Sequence, residues 1–301
     1  MSEFHAHGKL LLTGEYVVLD GAAAIGLPTK LGQKLKISDY SVPNLVEWKA
    51  FLPNNELWIC AKIETIGFTL IEASEEKTAK VLAEILKVVS EMSAASIYKK
   101  SFYIETELEF PLNWGLGSSS TLIALLSKVF NINAYELLEK TFGGSGYDIS
   151  CALMPRVQTY QLTSKERKIQ FISLHQNITS HLYFVYLNQK QNSREGIRRY
   201  RSLPKNERLI KSISDISKQI TECDNLYDFE DLIHVHEHLL ANHLGLTPVQ
   251  QQLFADYSGG EIKSLGAWGG DFVLVTSNDA DLSYFNEKGF PVVISYENLI
   301  V

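Results

Sequence analysis

Two periods of apolar and polar positions run through the chain and predict interleaved strands and helices. Residues 9–19 (KLLLTGEYVVL) read as a strand with a Gly-Glu interruption, and residues 31–38 as another. Further alternating or apolar stretches at 57–73, 101–109, 157–162, 182–187, 271–276 and 291–296 also read as strands. Helical spacing governs Thr78–Met92, where Ala79, Leu82, Ile85, Leu86 and Val89 recur on one face. It returns at Leu122, Ile123, Leu125, Leu126 and Val129, and from Glu207 to about Leu244. Such a mixture fits an α+β or two-layer α/β protein better than a regular βαβ repeat. A lobe boundary is expected near residue 175.

Composition narrows the function classes. A chain of 301 residues can build two lobes, and 45% hydrophobic with 21% charged residues is the balance of a soluble globular protein. The net charge of −7 argues against a nucleic-acid partner, which demands clustered Lys and Arg. Cys60, Cys151 and Cys223 have no metal-site or disulfide spacing, so reduced thiols are expected. No apolar run approaches the ~18 residues that cross a bilayer. No signal-peptide core opens the chain, where Glu3, His5 and His7 stand instead. The expectation is a cytoplasmic protein without a membrane partner.

The most informative stretch is Pro111-Leu-Asn-Trp-Gly115-Leu-Gly117-Ser118-Ser119-Ser120-Thr121, a Gly- and Ser-rich loop that opens the 122–129 helix. Glycines let a backbone approach a ligand closely, and a helix N-terminus offers free N–H groups and a favourable dipole to an anion. Read alone, the same residues also make an ordinary helix cap. No GxxxxGK[ST], no GxGxxG after a strand and no HRD or DFG signature occurs, so P-loop, dinucleotide and protein-kinase readings have no support.

Four segments together resemble the GHMP kinases, the galactose, homoserine, mevalonate and phosphomevalonate kinases. PLNWGLGSSST resembles their P-x3-GLGSS loop, and Gly8-Lys9 through Gly14-Glu15-Tyr16 their N-terminal GK-x4-GE-[HY] motif. Gly144-Ser-Gly-Tyr-Asp148 resembles the SG-x-D segment, and Ser264-Leu-Gly-Ala-Trp-Gly269-Gly-Asp271 the C-terminal glycine loop. The order is kept from residue 7 to 276.

This resemblance implies a two-lobed α+β fold, with a ribosomal-protein-S5-like ATP-binding lobe over 1–175 and a ferredoxin-like lobe over 176–301. It implies an ATP- and Mg²⁺-dependent phosphotransferase acting on a small acidic metabolite, and allows a homodimer. Asp148 would be the catalytic base, with Lys9 beside it and the acceptor oxygen. Asn113, Trp114, Gly115, Leu116, Gly117, Ser118, Ser119 and Ser120 would hold the nucleotide, and Ser119 would also ligate Mg²⁺. Glu15, Ser193, Arg194, Arg198 and Gly269 would meet the substrate.

Departures from the family pattern leave choices open. Where mevalonate kinase relatives carry a metal-binding Glu, this chain has Leu137, flanked by Glu136 and Glu139. Trp114 and Trp268 replace small residues of the two glycine loops. The histidines His234, His236, His238 and His243 lack an HExxH pattern and read as a helical face rather than a metal site. The cations Lys190, Arg194, Arg198 and Arg199 favour phosphomevalonate as acceptor, because Arg holds phosphate through two hydrogen bonds. Mevalonate is the alternative, and a non-catalytic ligand-binding relative is the reading from another class.

Overall fold

The structure is a computed structural model that describes residues 1–93, 100–189, 193–266, 268, 270–278 and 282–301. Backbone packing gives two compact units, one of residues 1–8, 31–112 and 116–154, the other of 9–30, 113–115 and 155–301. These limits differ from the 1–175 and 176–301 lobes expected above. The strands β1 (Ser2–Thr13) and β2 (Ala24–Asp39) each start in one unit and end in the other.

In the first unit, β3 (Leu45–Leu52), β4 (Glu56–Glu64), β5 (Leu70–Ala73) and β6 (Phe102–Leu108) line up as β5-β4-β3-β6-β2, with β1 beside β2. β3 and β6 run parallel with Trp48 opposite Ile104, while β4–β5, β3–β4 and β2–β6 are antiparallel. Four helices join this sheet: α1 (Glu76–Met92), α2 (Ser118–Phe130), α3 (Ala134–Thr141) and α4 (Tyr147–Leu153). α1 starts where the Glu75 carboxylate accepts from the N–H groups of Lys77 and Thr78. Its apolar stripe Leu82, Ile85, Val89 meets Val46, Trp48 and Ile63 from the strands, and Ile123, Leu137 and Ile149 from the other helices. Each of these buried side chains contributes roughly 1.5–3 kcal/mol of hydrophobic stabilisation. The Trp48 indole N–H donates to Thr106 Oγ1 at 3.2 Å, so the largest core side chain leaves no polar atom unpaired.

In the second unit, β7 (Gln158–Leu162) pairs with Ala24–Gly26 of β2 and with β8 (Arg167–Phe171). After α5 (Gln176–Thr179) and β9 (Leu182–Tyr186) come α6 (Ser193–Ser202), α7 (Glu207–Glu222), α8 (Leu226–Leu244) and α9 (Val249–Leu253). β10 (Ile262–Ser264), β11 (Phe272–Thr276), α10 (Ser283–Glu287), β12 (Val293–Ser295) and α11 (Tyr296–Leu299) complete it. β10, β11, β9 and β12 form an antiparallel sheet in that order. Val185, Val273, Val275 and Ile262 of this sheet pack with Phe254 and Phe285. Asn206 and Asn225 cap α7 and α8, and Gly245 closes α8 in the left-handed region.

Residues 14–19 depart from the predicted strand. Gly14 (φ 91°) and Tyr16 (φ 63°) turn the chain, and Val17–Asp20 forms a 3-10 helix that buries Val17 and Val18. A short apolar run buried on all sides carries no period that separates strand from helical turn. Among the described residues, no helix is long and apolar enough to cross a membrane.

Candidate active site

The two helices of the first unit that bear the predicted chemistry start alike. α2 begins at Gly117 (φ 91°) and α4 at Gly146 (φ 87°), both left-handed glycines without a capping side chain. In α4, Ser145 Oγ and Asp148 Oδ1 accept from the first-turn N–H groups of Tyr147 and Ile149 instead. The asparagine-capped α3 beside them shows the contrast, since Asn133 Oδ1 accepts from Tyr135 and Glu136 N–H. The first turn of α2 keeps its N–H groups and dipole available to an anion. Ser119 is exposed and Ser118 half-buried. Ser120 is 2% exposed and its hydroxyl donates to Gly117 O at 2.8 Å. Its proton is thus spent on the loop, and Ser118 and Ser119 are the hydroxyls that face outward. Thr121 fixes the helix start by donating to Gln33 Oε1 of β2 at 2.7 Å.

Asp148 lies in the first turn of α4, half-buried, with Oδ1 accepting from the Ile149 N–H at 3.0 Å. α4 packs directly on α2. The first unit thereby carries Ser118 and Ser119 on one, and Asp148 on the other, of two helices in contact.

Asn113, Trp114 and Gly115 of the nucleotide loop belong to the second unit. Lys9 Nζ donates to Gly115 O at 2.7 Å. Tyr186 Oη donates to Asn113 O at 3.1 Å, and the Trp114 ring meets Phe272 edge-on at 5.4 Å. A Cβ on Gly115 would lie 2.1 Å from Asp271 Oδ2, so only glycine fits there, at φ 65°. Trp268 is 7% exposed. Trp268 is thus packed into its loop, while Trp114 is half-buried. Leu116, in the first unit, is fully buried and can offer a ligand only its backbone. Gly269 lies outside the described residues.

Glu15, expected to meet substrate, lies in a buried charged cluster of the second unit. It is 1% exposed, and Lys263 Nζ donates to its Oε1 at 2.5 Å. Burial pushes its carboxyl up to about 7 against the opposing charge of Lys263. His236 of α8, fully buried, accepts the Gly14 N–H on Nε2 at 3.0 Å, and the same Nε2 stands 3.4 Å from Glu15 Oε2. Burial, with the charge of Lys263, holds His236 well below the usual imidazole range, so it is neutral with its proton on Nδ1. Glu237 completes the cluster by accepting from Ser264 Oγ at 2.8 Å and Ser264 N at 3.2 Å. Nothing in the sequence spacing ties residue 15 to residues 236 and 263, and no sequence signal could have found this cluster.

α6 is the expected acceptor helix. Arg198 and Arg199 are exposed on it, and Arg199 donates to Gly245 O at 3.3 Å. Ser193 and Arg194 occupy its first turn, but their side chains, like Lys190, lie outside the described residues. The helix is held through Tyr200, whose ring stacks on Tyr16 at 5.9 Å and whose hydroxyl donates to Asp20.

Leu137 is fully buried in the apolar core, and Glu136 and Glu139 are exposed. His234 and His238 stack at 4.1 Å, with His234 Nδ1 bonded to Glu261 and His238 Nδ1 to His234 O. Among the described residues, no His, Cys, Asp and Glu cluster has metal-holding geometry.

Solved structures share this fold over nearly the whole chain. Mevalonate kinase of Methanococcus jannaschii superposes with a TM-score of 0.70 at 18% identity, covering 97% of this chain and 96% of that one. Streptococcus pneumoniae phosphomevalonate kinase, in complex with phosphomevalonate and AMPPNP, gives 0.71 at 16%, covering 98% and 100%. Lactococcus lactis galactokinase complexed with galactose gives 0.65 at 14%, covering 97% and 92%. The chain has the α+β fold of the GHMP kinases. No protein-family model and no curated protein matches its sequence. At these identities the likeness is one of fold, and the reaction has to be argued from the residues.

Proposed function

We propose that the protein is an ATP-dependent phosphotransferase acting on a small acidic metabolite, with phosphomevalonate the favoured acceptor. The observation that carries this reading is the uncapped, glycine-started α2 with Ser118 and Ser119 at its mouth and Asp148 on the adjoining α4. Transfer of a phosphoryl group needs positioning and charge stabilisation more than covalent chemistry. The α2 N–H groups and dipole meet the nucleotide phosphates. Asp148 accepts the proton that an attacking hydroxyl gives up. Lys9, tied to the Gly115 carbonyl, brings a positive charge to the loop that carries the phosphates.

Mg²⁺ would be held by the exposed Ser119 hydroxyl together with the phosphates of ATP and water, since Leu137 removes a protein carboxylate and the ion keeps waters readily. Bound there, the ion neutralises charge on the transferring phosphates. Ser119→Ala should accordingly raise the Mg²⁺ concentration needed for half-maximal rate by several-fold. Superimposable Mg²⁺ titrations of variant and wild type would remove Ser119 from that role.

A specific observation keeps mevalonate as the second reading. A carboxylate placed as base helps a hydroxyl acceptor, whereas a phosphate acceptor with a second pKa of about 6 has largely lost its proton at neutral pH. The exposed arginines of α6 favour phosphomevalonate, and Asp148 favours a hydroxyl. ADP release measured against phosphomevalonate, mevalonate, homoserine and galactose separates these acceptors. The fastest release is expected with phosphomevalonate; background release with all four would overturn the proposal.

A further inference from the structure

Glu15, His236 and Lys263 are all essentially excluded from water, and ordinary packing gives no reason to bury three ionisable groups together. Their geometry is short of one proton. Nε2 of His236 is already an acceptor for the Gly14 N–H, and Glu15 Oε2, 3.4 Å away, has no hydrogen-bond donor among the described residues. An ionised Glu15 therefore sets two acceptors face to face inside the protein. Protonation of Oε2 removes that opposition.

The turn that carries Glu15 also carries the docking of α6. Gly14 is held to His236, and its φ of 91° and a 2.6 Å approach to Ala24 Cβ leave no room for another residue. Tyr16 follows at φ 63°, a conformation that a tyrosine adopts only when its surroundings impose it. Its ring lies under Tyr200, and a Cβ on Gly196 would come within 2.3 Å of its Oη. Glycine at 196 is what lets α6 settle on Tyr16. Asp20, at the end of the same segment, accepts from Tyr200 Oη and, at 2.7 Å, from Arg201.

We propose that the buried Glu15–His236–Lys263 cluster positions α6, fixing the Gly14–Tyr16 turn on which that helix docks and tying the docking to one proton on Glu15. These are positioning residues; the consequence for substrate rests on the assignment of α6 to the acceptor. The charged and titratable groups around Glu15 are Lys263 of β10, His236 and Glu237 of α8, and its neighbour Tyr16, with Arg199 of α6 acting on Tyr16. Asp20 and Arg201 sit at the far end of the segment. α7 and β7 bond residues 21–23 through the uncharged Ser214, Ser217 and Gln161.

Docked, Glu15 titrates at about 7; with the turn opened to water it returns to the ordinary 4.5. A raised carboxyl favours the closed state at low pH, and that advantage is lost as pH rises through 7. Opening of α6 should therefore be about tenfold more frequent at pH 8 than at pH 6.

Hydrogen exchange of the full chain, read by mass spectrometry over 193–202 and corrected for intrinsic exchange rates, measures this opening. The wild type should show the tenfold ratio, and Glu15→Gln the same opening at both pH values. Gly196→Ala should strip protection from α6 at both pH values while α7 keeps its own. A wild-type ratio near one, or a tenfold ratio surviving in Glu15→Gln, overturns the proposal. Should Glu15→Gln not fold, the wild-type ratio decides alone. Exchange is read without turnover, so failure of the acceptor assignment would appear separately, as absent phosphomevalonate phosphorylation with the exchange ratio intact.

Discussion

Asp148→Asn should lower kcat on a hydroxyl acceptor by roughly 10²–10⁴-fold, the range a positioned general base supplies, while the KM for ATP changes little. The substitution keeps size and one acceptor oxygen, so the bond from the Ile149 N–H at the start of α4 can persist. What is lost is the ability to take a proton. With phosphomevalonate the defect should depend on pH. It should be slight at pH 8, where the attacking phosphate oxygen carries no proton, and grow below pH 6. Steady-state kinetics with mevalonate and phosphomevalonate across pH 5.5–8 check both parts. A variant that phosphorylates a hydroxyl acceptor at the wild-type rate would exclude Asp148 as the base.

The second large effect is expected at α6. A phosphorylated acceptor brings about two negative charges near neutral pH, and a protein of net charge −7 must gather cations locally to receive it. Arg198 stands exposed on a helix whose other side is fixed by Tyr16 and Tyr200, so its guanidinium is offered from an anchored base. Arg198→Ala or Arg194→Ala should raise the KM for phosphomevalonate ten- to a hundredfold, as loss of a charge-assisted contact of about 1.5–3 kcal/mol requires. The KM for ATP should stay near its wild-type value in both. Unchanged phosphomevalonate kinetics in both variants would take α6 out of the acceptor site.

The sequence made some of this legible for identifiable reasons. α1 and α2 carry apolar residues at helical spacing; the pattern marks α1 within two residues of its ends, and α2 reaches four residues further back, through the serines, to Ser118. The Gly117–Ser120 start of α2 is a local signal, because a left-handed glycine followed by serines depends on nothing distant. β8 is hard to read, since only Ile169 and Phe171 alternate along Arg167–Phe171, two positions too few to establish a period, and every residue of the strand is exposed. α4 went unnoticed because a seven-residue helix spans too few turns to establish a period. Family resemblance took Glu15 for a substrate contact, yet burial beside Lys263 and His236 commits its carboxyl to the interior. That commitment depends on residues more than 220 positions away, and local pattern holds no record of it.

Movement of the γ-phosphoryl group of ATP to a small acidic acceptor is observed directly by ³¹P NMR of the reaction mixture. With MgATP and phosphomevalonate, resonances of a diphosphate ester and of ADP should grow together in equal amounts as ATP and the monophosphate decline. Inorganic phosphate accumulating in place of the diphosphate ester, or an unchanged spectrum with both phosphomevalonate and mevalonate, would contradict it.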